Sequence, residues 1–376
     1  MHVVANIALV GAGAVAIFVV LDAALRTFVL PRGAAVLFTN VVFRSVRRLL
    51  RVFAGPTRSF EARDRVMALY APLALLTFPA VALVVIFVAF ACFFQAAEAH
   101  GWRESFLTSG SSLFTLGFQR PAGLGSAMIA FGEAAIGLAL LAVLIAYLPT
   151  IYGSFSRREV MVTQLSVRAG TPPTAWRALE LAHRAGYLNE LDPVWAEWMQ
   201  WFSELSETHT SLAALAFFRS PNPARSWITA AGTILDAAAL RIAVLNIPFT
   251  PAPGLCIRSG FLALREIADF FGFEHDRDPA PDDAISVARE EFMEIYEQLA
   301  GAGLPVRADR ERAWRDFAGW RVNYDRVLLA LCTLVMAPPA PWSSDRSPRS
   351  PLRRQQWGPR LHHEGPDGRV PPTSAR

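Results

Sequence analysis

Three long apolar stretches along the chain each predict a helix that crosses a membrane. The first lies in residues 1–30, where Val3–Leu21 carries no charge. The second lies in residues 66–97, which are uncharged throughout, and the third in residues 124–155, where Glu133 is the one charged residue. A helix rises about 1.5 Å per residue, so about 20 apolar residues cross the hydrocarbon core. We therefore predict three transmembrane helices.

The polar segment between the first two spans, residues 31–65, predicts a helix at a membrane surface. Four of its arginines follow the spacing i, i+3, i+4, i+7, which places them on one helix face. They are Arg44, Arg47, Arg48 and Arg51. Much of the remaining face is apolar, at Leu37, Val41, Leu49 and Phe53. The pattern favours an amphipathic helix on anionic lipid, and the alternative is a charged linker that only fixes orientation.

The distribution of charge around the spans predicts their orientation. No Lys or Arg precedes the first apolar run, which argues against a cleaved signal peptide. The positive-inside rule places residues 31–65 in the cytoplasm, together with Arg157 and Arg158 at the end of the third span. Asp22 and Arg26 are spaced to pair across one helical turn near the inner interface. We predict a multi-pass membrane protein, with its N-terminus outside and its C-terminal region in the cytoplasm.

Composition changes sharply after the third span. The whole chain is 53% hydrophobic and 18% charged, with a mean hydropathy of +0.31. Residues 156–337 nevertheless hold 18 Arg and 23 acidic residues, which is typical of a soluble domain. Residues 338–376 hold nine Pro and seven Arg, a composition that predicts a disordered tail. The chain is therefore not a single soluble enzyme domain.

Residues 156–337 predict an all-helical cytoplasmic domain. Asp192-Pro193 is typical of a capped helix start, and the apolar residues that follow share one face. Those residues are Trp195, Trp198, Trp201, Phe202 and Leu205. Asp282 or Asp283 is expected to cap a helix over Ala284–Leu299, and Val306–Met336 is expected to form one long helix. Trp227–Phe249 is apolar, but Asp236 and Arg241 in its middle favour a buried soluble helix over a fourth span.

The motifs of common catalytic and metal sites are missing from the sequence. There is no HExxH, P-loop or GxSxG motif, and Cys92, Cys256 and Cys332 are far apart. The basic clusters flank hydrophobic spans and the central soluble region is acidic, which argues against nucleic-acid binding. We expect neither enzymatic activity nor a cofactor.

The segment between the second and third spans, residues 103–121, predicts a pore loop. Ser105–Phe114 reads SFLTSGSSLF, which suits a short half-helix and is too short to cross a membrane. It leads into Thr115, Leu116, Gly117 and Phe118. A re-entrant half-helix followed by Thr-x-Gly-aromatic can present backbone carbonyls that replace the water shell of a potassium ion. Gly117 permits the required backbone conformation, and the negative end of the half-helix dipole favours a cation.

Residues 66–155 resemble the ion channel domain of bacterial potassium-channel proteins, which has two helices and a single pore loop. The resemblance implies a homotetramer and a selectivity filter at Thr115, Leu116, Gly117, Phe118 and Gln119. It also implies passive conduction of a monovalent cation, K⁺ above all, and a location in a bacterial plasma membrane. Two residues depart from the family pattern. Gln119 replaces the second filter glycine, which predicts backbone strain there. Arg120 replaces an aspartate and is expected to repel cations unless Glu98 or Glu104 pairs with it.

Three further residues of the third span are candidates for a role in the pore. Gly137 is either a gating hinge or a packing glycine, and Pro149 is expected to kink the helix near a cytoplasmic gate. Glu133 is ionisable at membrane depth, so it is either functional or bonded to hydroxyls behind the filter. Those hydroxyls belong to Thr108, Ser109, Ser111 and Ser112. The alternative to a channel is a non-conducting sensor or scaffold that keeps the pore fold with a degenerate filter.

Overall fold

The chain forms two compact units, residues 1–153 and 154–376. A computed structural model describes residues 2–30, 37–55, 59–98 and 101–346. Secondary structure in these ranges is helical, apart from one isolated bridge between Leu245 and Val306. Residues 347–376, which hold most of the predicted disordered tail, lie outside the described residues, as does Arg32.

The first unit contains the three predicted spans. Three helices of the described residues are long and apolar enough to cross a membrane: Val4–Phe28, Phe60–Glu98 and Leu124–Ala169. The predicted span over residues 66–97 is longer than expected and is interrupted at Leu69, where the backbone bonds to Val66 close a tighter turn. The helices are α1 (His2–Phe28), α2 (Leu37–Ala54), α3 (Phe60–Ala68), α4 (Tyr70–Glu98), α5 (Trp102–Leu113) and the first part of α6 (Leu124–Ala169).

Aromatic side chains hold the first unit together at one end of α4. The ring of Phe78 is fully buried and packs edge-on against Phe28 of α1 and Phe38 of α2, at 5.1 and 5.3 Å between ring centroids. Phe28 also contacts Tyr147 of α6. The predicted i, i+4 pair is confirmed, with Arg26 Nε 2.8 Å from an Asp22 carboxylate oxygen.

The second unit is built around a helix that is almost entirely buried. This helix, α9 (Trp227–Ala243), has the predicted Asp236 near its centre, and it is not among the three helices that could span a membrane. The other helices are the end of α6, α7 (Ala175–Arg184), α8 (Asp192–Ser211), α10 (Ala252–Phe270), α11 (Arg289–Gly301), α12 (Arg310–Arg321) and α13 (Asp325–Val335). The apolar face predicted for α8 is confirmed, because Trp195, Trp198, Trp201, Phe202 and Leu205 are all buried.

A buried ionic network joins three helices of the second unit. The Arg321 guanidinium is fully buried and lies 2.5 Å from both carboxylate oxygens of Asp236. Its Nε donates to Asp325 at 2.8 Å, and the Tyr324 hydroxyl donates to Asp236 at 2.8 Å. The two carboxylates outweigh the burial of the guanidinium and raise the pKa of Arg321 above its ordinary value. The guanidinium therefore stays charged inside the core.

This network corrects the prediction of one helix over Val306–Met336. The chain leaves the helix at Val322–Tyr324, between α12 and α13. Asn323 stabilises the break, since its side-chain amide donates to Gly319 O and Trp320 O at 3.2 Å. The break is where the carbonyl of Asn323 accepts from Arg265 at 3.0 Å.

Two predicted helix starts also differ. Helix α11 begins at Arg289 rather than at Ala284, because Glu291 accepts a hydrogen bond from Ala288 N–H at 2.7 Å. Asp283 instead accepts from Ala280 N–H in the preceding turn. Helix α8 begins at Asp192-Pro193 as predicted, but the Asp192 side chain accepts from the Thr250 hydroxyl at 2.8 Å and does not cap the helix.

The first residues of the predicted disordered tail are folded. Residues 338–346 pack on the second unit, where Trp342 is buried against Trp176 and Phe317. The Trp342 carbonyl accepts from Arg321, and Arg346 pairs with Glu291 at 3.0 Å. Residues 338–346 therefore belong to the folded part of the second unit, beyond the boundary predicted at residue 337.

The environment of Arg158 differs from the prediction, which had this residue as a charge facing the cytoplasm. Its side chain is buried and donates to the carbonyls of Leu215 and Phe218 at 2.9 and 2.8 Å, and to Glu159. His209 lies 3.3 Å from the same guanidinium. Burial, together with the positive charge of Arg158, holds the pKa of His209 well below its ordinary value, so the imidazole is neutral at physiological pH.

Candidate functional site

The short helix α5 occupies the position predicted for the half-helix and lies alongside α4. The Ser105 hydroxyl donates to the Gln95 side chain at 3.0 Å, near the end of α4. The Ser109 hydroxyl donates to Phe87 O at 2.9 Å, eleven residues before Glu98. At 1.5 Å per residue, Ser109 therefore lies about 16 Å back along α4 from its final residue, four residues before α5 ends. Phe87 and Phe106 add a ring contact at 5.3 Å.

Glu133 of α6 lies behind α5, and of the four hydroxyls considered it bonds to Ser109. Its carboxyl group is fully buried, with one oxygen 2.5 Å from Ser109 Oγ and the other without a hydrogen-bond partner among the described residues. The single hydrogen of Ser109 cannot serve both Glu133 and Phe87 O. The contact with Glu133 therefore needs a second hydrogen, which a carboxyl group carries in its neutral form.

Exchanging Glu133 for a neutral isostere separates a bonding role from a role that needs charge. Glu133→Gln supplies the second hydrogen from its amide and should leave stability within about 1 kcal/mol of wild type. Glu133→Ala removes the bond and leaves a cavity, which should cost about 2–3 kcal/mol. Residue-resolved thiol labelling of the full chain during heating measures this, because Cys92 of α4 reports the first unit. Equal effects of the two substitutions would contradict the bonding role.

Gly137 is the point of closest approach between α6 and the end of α5. A Cβ on Gly137 would lie 2.9 Å from both Cδ1 and the carbonyl oxygen of Leu113. Real Cβ atoms do not approach backbone oxygens this closely without a shift of the backbone. The geometry therefore supports the packing alternative for Gly137. Pro149 lies inside α6, which continues through it to Ala169.

The backbone after α5 turns sharply. Thr115 and Gly117 have positive φ angles of 53° and 70°. The left-handed conformation is available to glycine but costs a β-branched residue such as threonine roughly 1–2 kcal/mol. The Leu116 and Gly117 N–H groups both point back to Ser111 O, at 2.9 and 3.5 Å.

The four carbonyl groups that follow have no partner within the described part of the chain. No hydrogen bond ends on the carbonyl oxygens of Thr115, Leu116, Gly117 or Phe118 among residues that the structure places. All four residues are exposed. Consecutive exposed carbonyls at the C-terminal, negative end of a helix are a favourable environment for a cation.

Gln119 is held in place by two residues that the sequence did not single out for this purpose. Its N–H donates to Ser111 Oγ at 3.0 Å, and its side-chain amide donates to Glu104 at 3.3 Å. The prediction of left-handed strain at Gln119 is wrong, since Thr115, Met336 and Trp342 are the described non-glycine residues with positive φ. The serine-rich run before Thr115 was the available signal for such anchors.

The acidic residues proposed to pair with Arg120 are engaged elsewhere. Glu104 bonds to Gln119 and to Arg103, and Glu98 accepts from Ala122 N–H at 2.8 Å. Arg120 is exposed, and no ion pair to it occurs within the ranges that the structure describes. A positive charge therefore stands beside the four free carbonyls.

An apolar surface surrounds this loop. The side chains of Phe114, Leu116 and Phe118 are more than half exposed. One face of α6, opposite the face that carries Glu133 and Gly137, is also exposed and apolar. Its residues are Leu124, Met128, Phe131, Leu138, Leu141 and Ile145.

The described residues contain no cluster of three or more His, Cys, Asp or Glu side chains arranged to hold a metal. A cavity of about 430 Å³ lies in the second unit, beside Ser286, Asn323 and Asp325. Ser286 bonds to Asp325 through both its N–H and its hydroxyl, so these groups satisfy each other.

Comparison of the chain with protein-family models, with curated proteins and with solved structures gives no match.

Proposed function

We propose that the chain is one subunit of a potassium-channel-like pore. The loop at residues 103–121 lines this pore, and four copies of the chain close it around a common axis. The observation that carries this proposal is the row of four exposed, unpartnered carbonyls that follows α5. In this proposal they belong to Thr115, Leu116, Gly117 and Phe118 of each chain and bind a dehydrated monovalent cation, preferably K⁺. Gln119 is the last residue of the proposed filter.

The position of the loop at membrane depth supports assembly of several copies around a water-filled cavity. Free carbonyls and non-helical backbone are not stable against lipid, and they occur at membrane depth only when buried in protein or facing a water-filled cavity. Ser109 of α5 lies about 16 Å back along α4 from its final residue, and the loop begins a few residues later, so the loop requires such a cavity. Neighbouring copies would supply it, and they would cover the exposed apolar face of α6.

A specific observation favours the alternative of a non-conducting sensor or scaffold. Arg120 lies in the loop without an acidic partner in the described residues. Gln119 is held by hydrogen bonds at the position where potassium channels have a second, conformationally flexible glycine. Four such arginines around one axis would oppose cation entry.

Recordings from planar bilayers with asymmetric potassium and sodium test the proposal. Wild-type protein should give a current that reverses close to the potassium equilibrium potential. Gly117→Ala should abolish this current, because a Cβ at φ +70° opposes the turn that exposes the carbonyls. Gly125→Ala is the matched control, since a Cβ there meets open space, and it should keep the current. Silence of the wild type would favour the sensor, and an unchanged Gly117→Ala current would refute the filter.

A further inference from the structure

Helix α2 lies at one surface of the first unit, between the ends of two membrane-spanning helices. Thr27 at the end of α1 and Thr39 at the start of α2 are joined by a hydrogen bond of 2.9 Å between their hydroxyls. Phe43 packs edge-on against Tyr70, the first residue of α4, and Arg47 stacks over the same ring at 6.0 Å. Because α1 ends and α4 begins beside α2, this helix lies at a membrane boundary whichever way the chain is oriented.

One face of α2 is used for packing inside the unit. Val42, Leu50 and Ala54 are buried, and Phe38 contacts Phe78. Consecutive members of this set are four or eight positions apart, so they lie along one side of the helix. The rest of the helix surface is left without a covering element within the described part of the unit.

The uncovered surface combines exposed apolar and exposed basic side chains. Its apolar residues are Leu37, Val41, Leu49, Val52 and Phe53, and Leu37 and Val52 are 78% and 79% exposed. Its basic residues are Arg44, Arg48 and Arg51, which are exposed and form no ion pair within the described residues. Helix α2 contains no Asp or Glu. A partner complementary to this surface carries negative charge and also has apolar groups that the exposed apolar side chains can contact.

We propose that this surface of α2 binds the headgroups and acyl chains of an anionic phospholipid leaflet. Arg44, Arg48 and Arg51 contact the phosphates, and the exposed apolar side chains around them enter the headgroup–acyl boundary. Charge complementarity and the position at the ends of two spans favour lipid over a second copy of this chain, whose α2 would bring the same positive charge. The inference rests on membrane insertion and not on ion conduction, so it stands or falls separately from the proposed pore.

Lipid binding to the detergent-solubilised full chain tests the proposal, with native mass spectrometry as the readout. Wild-type protein should bind phosphatidylglycerol more tightly than phosphatidylcholine. The triple substitution Arg44→Gln, Arg48→Gln, Arg51→Gln should weaken phosphatidylglycerol binding by about a hundredfold, since each surface arginine contributes roughly a factor of five. Binding of phosphatidylcholine should change little.

The matched control removes three exposed arginines from the second unit: Arg184→Gln, Arg315→Gln and Arg326→Gln. It should leave both lipids unaffected. The pair Leu49→Gln, Val52→Gln should weaken both lipids equally, because it removes apolar contact and no charge. Unchanged preference for phosphatidylglycerol in the α2 arginine variant would overturn the proposal. So would a loss of self-association in that variant without a loss of lipid, which would assign the surface to a second copy.

Discussion

Replacing Gly137 with alanine should force α5 away from α6 and destabilise the first unit. The added Cβ would meet Leu113 O at 2.9 Å, and a backbone oxygen cannot rotate aside as a side chain can. Overpacking of this kind costs about 1–3 kcal/mol. It should lower the temperature at which Cys92 becomes reactive by roughly 3–10 °C, while Cys256 and Cys332 of the second unit keep theirs. In the proposed pore the same shift would displace the filter.

The control for this prediction lies on the same helix. A Cβ on Gly132 meets nothing within 4 Å. Gly132→Ala should therefore leave stability unchanged or raise it by up to about 1 kcal/mol, because alanine restricts the unfolded chain and favours the helix. If both substitutions shift the labelling of Cys92 by the same amount, the close contact between Gly137 and Leu113 does not exist.

Replacing Arg321 with methionine should be the most damaging single change in the second unit. Methionine fills much of the same volume but leaves Asp236 and Asp325 buried without a cation. Loss of one partner from a buried ionic network costs about 3–5 kcal/mol. Labelling of Cys332 and Cys256 during heating measures the change. Arg315→Met, on the exposed side of the same helix, should cost less than about 0.5 kcal/mol.

The loss of folding stability caused by Arg321→Met should also depend on pH. Burial raises the pKa of Asp236, and without Arg321 nothing of opposite charge offsets it. The folded variant then holds a proton that the unfolded chain releases near pH 4. Its stability therefore falls as the pH rises above about 4, until the raised pKa of the folded carboxyl is passed. A stability difference from wild type that is no greater at pH 8 than at pH 5 would contradict this account.

Features that depend on local pattern were predictable from the sequence. Uncharged length indicated the three spans, and the three-residue spacing of Trp195, Trp198 and Trp201 indicated a buried helix face. A short helix before Thr115 followed from the small and apolar residues between two spans. These signals work because helix periodicity and membrane thickness are fixed lengths.

Features that depend on distant partners were not predictable. The break at Val322–Tyr324 places Arg321 and Tyr324 on Asp236, which is more than 80 residues away along the chain. Arg158 looked like a membrane-flanking charge until carbonyls some 60 residues later were found to accept its hydrogen bonds. The anchoring of Gln119 by Ser111 and Glu104 likewise depends on how the loop folds back on α5. Local sequence carries no information on such partners.

The segment after α13 has a practical consequence for shortened forms of the protein. Helix α13 ends at Val335, which makes residue 337 an inviting place to stop an expression clone. A chain cut there would lack the Trp342 carbonyl that receives a hydrogen bond from the buried Arg321, and the indole that covers Phe317. It would open the core to water while keeping all the helices of the described residues, α1 to α13. Truncations should therefore end beyond Arg346, whose ion pair with Glu291 fastens the segment.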